Sequence, residues 1–135
     1  MKNAPIATLC LFSLSFFCVT LAGSSKYEVV NKNGIYYGNY SDFSRPACLS
    51  LKKVFYEIPE YRKILKKGLT REDPHYWLLL NAANEVFRNV VNGVAAENKY
   101  DLIGEQDSIR PESEKDSVPD VTHLALLYIR KLREK

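Results

Sequence analysis

Cysteine is scarce in this sequence, and most of what there is sits where it cannot brace a fold. Of the three cysteines in 135 residues, Cys10 and Cys18 fall in the apolar run of residues 4–22, which leaves Cys48 alone beyond it. A lone thiol excludes an internal disulfide. Between Ala47 and Leu49 it reads as a small buried strand residue and not as an activated nucleophile. Histidine is scarcer still: His75 and His123 are far apart, in separate predicted helices. No compact set of His, Cys and carboxylate residues has metal-ligand spacing, so no metal site is expected. The six glycines form no phosphate-cradling loop, since Gly34 and Gly38 flank tyrosines and Gly93 stands alone inside a predicted helix. Glu57 and Glu60 lie three apart, but Pro59 between them breaks any shared helical geometry, so no acid/base pair is expected. The expectation is a protein without catalytic chemistry and without a cofactor.

Long single-sign charge runs are also missing. The formal net charge is +3, with a basic group at Arg62, Lys63, Lys66 and Lys67 and a mostly acidic stretch from 101 to 120. That separation does not make a nucleic-acid surface. The one long hydrophobic run follows Lys2 and ends in the small residues Ala22, Gly23, Ser24 and Ser25, the layout of a secretory signal peptide over residues 1–23. Cleavage near Ala22 or Gly23 is expected. The alternative is an uncleaved N-terminal anchor, because the run approaches the roughly 20 residues that span a bilayer.

Residues 24–135 read as one domain, with no internal repeat. Residues 26–45 are Tyr-rich, and Asn33-Gly34 between two apolar runs predicts a β-hairpin. Tyr36, Tyr37 and Tyr40 are common strand residues before they are a stacking platform. Asn39-Tyr40-Ser41 matches a glycosylation acceptor and is read as incidental. Residues 47–51 read as a short strand. Val54, Ile58, Tyr61 and Leu65 then give a helical apolar face, which Pro59 should break near Ile58 and Gly68 should end. Asp73 and Pro74 open a long helix to about residue 98, with Leu79, Ala83, Val86, Val90 and Val94 on its buried stripe and Leu80, Phe87 and Val91 widening it. The short link between these helices predicts an antiparallel hairpin. Residues 100–105 read as a strand, Ser108-Ile109 as the start of another, and 110–117 as a loop. A last helix follows Asp120 or Thr122, with Leu124, Leu127, Tyr128 and Leu132 as its apolar side.

This order resembles the Skp/OmpH family of bacterial periplasmic chaperones. The resemblance rests on Val54-Phe55 with Pro59-Glu60-Tyr61 after the first strand, Lys99-Tyr100-Asp101-Leu102 after the returning helix, and Asp120-Val121-Thr122 before the last helix. It covers about residues 47–133. It implies an α+β fold, a small strand-and-helix body with a projecting antiparallel helical hairpin. It further implies a homotrimer whose arms hold unfolded outer-membrane or envelope proteins, passively and without ATP. Two features depart from the pattern. The arms are short, about sixteen residues out and about twenty-five back, or roughly 24 and 37 Å at 1.5 Å per residue, and residues 26–45 form an N-terminal extension.

The basic group is the candidate binding surface. In a hairpin Arg62, Lys63, Lys66 and Lys67 fall toward the tip, near Arg71, where they are free to meet an acidic client segment or an anionic membrane surface. The plain alternative is a solvated helix face. An alternative function is a structural or adaptor protein of the cell envelope that binds a folded partner through residues 26–45.

Overall fold

The computed structural model describes residues 26–135. The expected export segment, with Cys10 and Cys18, lies outside them. Helices and small sheets mix in an α+β arrangement.

Strand β1 is Tyr27–Val29 and strand β2 is Ile35–Gly38. They do not form the expected hairpin. The β1 strand pairs antiparallel with Ile109–Pro111, and β2 pairs antiparallel with Leu102–Glu105. Between them Asn33 and Gly34 belong to a single 3-10 turn, Lys32–Gly34, capped by the Asn31 side chain, which accepts the Asn33 amide at 3.1 Å. A tight hairpin turn needs positive φ at its central residues. Among the described glycines only Gly38 and Gly68 have it. The Val30 and Asn31 amides instead donate to the Ser108 carbonyl, at 2.9 and 3.3 Å, so the N-terminal segment is sewn to the C-terminal third of the chain.

Strand β3 is Pro46–Leu49 and strand β4 is Leu102–Glu105; they run parallel, giving the order β2-β4-β3. Strand β5 is Ile109–Pro111. The outer side of β3 is closed by residues 119–121: the Cys48 amide donates to Pro119 and the Val121 amide to Cys48, both at 2.8 Å. Strand β2 is the other outer strand of this sheet and, among the described residues, pairs on one side only.

Helix α1, Leu51–Glu57, starts from Ser50, whose hydroxyl accepts the Lys53 amide. Ile58 is extended, at φ −76° and ψ 124°, and Pro59 takes the first position of helix α2, Pro59–Lys67. Proline bars the preceding residue from helical geometry but suits a helix start, so one amphipathic stretch becomes two helices. Gly68 ends α2 in the left-handed region, at φ 59°. Helix α3, Pro74–Asn98, opens as the sequence predicts, with the Asp73 carboxylate accepting the His75 amide at 2.8 Å. It closes on Lys99, which adopts φ 57° without being a glycine.

The core joins Ala83, Phe87, Val90, Val91, Val94 and Ala95 of α3 to Ala47, Leu49 and Ile103 of the sheet, with Val54 and Ile58 from the first helical stretch. Helix α4, Thr122–Arg133, closes it with Ala125 and Ile129, preceded by Val121. Three expectations are corrected here. In α2 the buried residue is Ile64, and Leu65 is exposed, because the restart at Pro59 resets the helical phase counted from Val54. In α4 the buried positions step by four from Val121 to Ala125 to Ile129, while Leu127 and Leu132 face outward. Small Ala125 lets the helix lie close on the core. Neither Asp120 nor Thr122 is the N-cap, which is Val121 without a side-chain cap bond; Asp120, just before it, accepts the Thr122 amide at 2.9 Å.

Candidate functional site

Helices α2 and α3 pack on each other, joined by the turn of residues 68–73. The five cations named from the sequence divide into two sets along this pair. Arg62, in the first half of α2, turns back toward α1. Its Nη2 lies 3.0 Å from a Glu57 carboxylate oxygen, and its Nε donates to the Tyr56 carbonyl at 2.7 Å. Arg62 therefore braces the α1–α2 junction across the break at Ile58. Lys63, Lys66 and Lys67 are exposed and make no ion pair among the described residues. Lys66 and Lys67 occupy the last turn of α2, where cations oppose the negative end of the helix dipole. Arg71 follows in the turn, exposed.

The turn also carries apolar surface that the sequence reading passed over. The Trp77 indole N–H donates to the Arg71 carbonyl at 2.8 Å, which satisfies its polar edge, while the residue remains 47% exposed. Leu78 is 66% exposed, and Leu65 is also exposed. Tyr76 packs edge-on to Trp77, with ring centroids 5.2 Å apart. Trp77 and Leu78 fall off the stripe formed by Leu79, Ala83, Val86 and Val90. That off-stripe position, in a helix that otherwise has polar residues on its outer face, was the signal available. Glu72 and Asp73 share the turn. Asp73 caps α3, so the free cations stand beside apolar surface with some acid among them.

The other residues weighed for chemistry are placed apart. His75 and His123 are both exposed and lie at the starts of α3 and α4. Among the described residues no three His, Cys, Asp or Glu side chains cluster to hold a metal ion. Cys48 sits in β3 with its thiol 3.9 Å from the Val118 carbonyl. Burial, and then the nearby carboxylates of Asp120, Asp107 and Glu105, push its pKa up to about 11. A thiol held protonated is a poor nucleophile. No described helix is long and apolar enough to cross a membrane.

Comparison with protein-family models, with curated proteins and with solved structures gives no match for this chain.

Proposed function

We propose that this chain is an exported, ATP-independent holdase similar to the Skp/OmpH chaperones, working in the periplasm as a homotrimer. It would bind unfolded outer-membrane or envelope proteins. The observation that carries the reading is where the three phrases of the resemblance fall. Pro59 opens α2. Asp101 ties the start of β4 to the residues before β3. Asp120 accepts the first amide of α4, where residues 119–121 close on β3. Each phrase thus stands at a joint of a body in which two parallel strands flank a helical excursion. The mechanism is passive. Lys63, Lys66, Lys67 and Arg71 attract acidic stretches of a client, while Leu65, Trp77 and Leu78 offer apolar contact, through many weak interactions instead of one pocket.

The test combines mass and holding. Light scattering of residues 24–135 should give a trimer across a range of concentrations, and the protein should suppress aggregation of several unfolded clients. Replacing Lys63, Lys66, Lys67 and Arg71 with Gln should weaken holding and leave the assembly unchanged. Trp77 is the only tryptophan, so its fluorescence reports directly whether clients reach the turn. A monomer at high concentration, or clients held without any change at Trp77, would sink the mechanism.

A second reading, an adaptor that binds one folded envelope protein, is favoured by exposed Val30 and Tyr40 on the N-terminal segment. It predicts a single stable partner lost on Val30→Ser with Tyr40→Ser. Deleting residues 26–45 outright would remove β1 and β2 from their sheets and test folding instead.

A further inference from the structure

Away from the α2–α3 turn, an open groove of about 540 Å³ runs between β2, α1 and α3. Its walls are Ile35 and Tyr36 from β2, Leu51 and Phe55 from α1, and Phe87 from α3. The aromatic rings brace one another: Tyr36 meets Phe87 edge-on at 5.2 Å, and Phe55 meets Phe87 at 5.2 Å. The rim carries Asn84 and Arg88, one helical turn apart. Neither side chain makes a hydrogen bond or ion pair among the described residues. Glu105 lies behind Tyr36, but its Oε2 already accepts the Tyr36 hydroxyl at 2.7 Å and the Leu51 amide at 3.0 Å. The rim therefore presents an unanswered guanidinium beside an apolar trough.

The same wall is the free edge of a sheet. Among the described residues strand β2 pairs with β4 on one side and with no strand on the other, whereas the far edge of the sheet, β3, is closed by residues 119–121. Unpaired strand edges take up extended chains through main-chain hydrogen bonds, and pockets beside the edge select alternate side chains. The β2 register shifts between Ile35 and Tyr37, and both Ile35 and Tyr36 line the groove there; an incoming strand alternates its own side chains, so every second one would lie on the groove side. One such residue would enter the groove, and the next on that face, two positions along, would reach the Asn84–Arg88 rim.

We propose that the β2 edge binds an extended polypeptide segment in which a large apolar residue lies two positions from an acidic one. The apolar side chain fills the Phe55–Phe87 groove, and the carboxylate meets Arg88, with Asn84 as a second donor. This rests on the holdase reading and deepens it, by naming the kind of client segment the body itself grips.

The probe is a fluorescein-labelled, end-blocked heptapeptide, Ser-Thr-Phe-Thr-Asp-Thr-Ser, titrated with the full exported chain and read by anisotropy. Binding should saturate. It should weaken about fivefold with Arg88→Glu, the scale of an exposed charge pair, and to a similar degree when the peptide's Asp becomes Lys. Methylating the peptide's backbone nitrogens should weaken it about tenfold or more, since strand pairing is lost. These peptide changes leave the protein untouched, so they decide the matter even if a variant misfolds. Equal binding of the methylated peptide, or no effect of Arg88→Glu in a folded protein, would overturn the proposal. So would protection of the Tyr36 and Tyr37 amides from hydrogen exchange that rises with protein concentration and not with peptide, because a second copy would then own the edge. Client holding measured on the same preparations separates the two claims. Holding without peptide binding removes this site alone, and peptide binding without holding removes the holdase reading.

Discussion

The carboxylate of Asp101 receives the backbone amide of Arg45 at 2.8 Å, across 56 positions of chain. Its other oxygen takes the Ser44 amide at 2.8 Å and the Ser44 hydroxyl at 3.0 Å. One side chain thus fixes the entry to β3 against the entry to β4, the two parallel strands at the centre of the body. Asp101→Ala should lower unfolding stability by about 1 kcal/mol, the net worth of such bonds after allowance for their exposure. Urea denaturation with an unchanged slope would check it, and an unchanged midpoint would contradict it.

Two carboxylates make the fold acid-sensitive in a defined direction. Burial alone would raise the Asp101 carboxyl, but hydrogen bonds from Ser44 and Arg45 hold it below its ordinary value. Burial likewise acts upward on Asp120, and is outweighed by bonds from Thr122 and Gln106 and by the Lys53 charge. A carboxyl whose folded pKa is depressed binds fewer protons folded than unfolded. Its stabilisation is complete above the ordinary carboxylate value of about 4 and is lost as pH falls through the lower folded value. Thermal midpoints should therefore drop steeply below about pH 4, and Asp101→Asn with Asp120→Asn should flatten that drop.

Gly93, alone inside α3, faces the Tyr128 ring of α4. A Cβ built there would lie 2.2 Å from the Tyr128 ring. Alanine for glycine in a helix interior is worth about 1 kcal/mol by propensity. In the parent chain Gly93→Ala should gain little or lose stability, since the ring must leave its place. In a Tyr128→Ala background the same change should stabilise by about 1 kcal/mol. A double-mutant cycle reads the coupling, and additive effects would show that the ring moves freely.

Cys48 should resist modification. With its pKa near 11, the thiolate at pH 8 is rarer than that of an ordinary thiol by about a hundredfold. Alkylation by iodoacetamide in the folded protein should be slower by about that factor than in urea. Comparable rates would mean that the strand frays open around β3.

Elements with local stop and start signals were legible in the sequence. Asp73-Pro74, Ile58-Pro59 and Gly68 each act through the geometry of one or two residues, and the helices begin and end on them. The α3 stripe was legible because 25 residues repeat it many times. What failed had distant causes. Asn33-Gly34 looks like a hairpin turn, but the partners of the flanking strands lie some seventy positions away, and nothing local records that. Leu65 and Leu127 are as apolar as Ile64 and Ile129, and only the packing decides which is covered. Of the candidate site, the free cations were readable as exposed charges. The diversion of Arg62 to Glu57 and the company of Trp77 required the folded chain.

The pairing of Ile35 with Gly104 also bears on how the molecule comes into being. Strands β1 and β2 emerge before the other described elements in any N-to-C synthesis, yet their sheet partners among the described residues, β5 and β4, lie in the last third of the chain. Until those residues are made, the tyrosine-rich segment lacks these two strands and remains open to whatever else is near. Helices α2 and α3 can close early through neighbouring contacts, but the sheet must wait for a loop of some sixty residues, which places its formation on the slow side for a chain of this size. The earliest described strands to be made are thus among the last to pair.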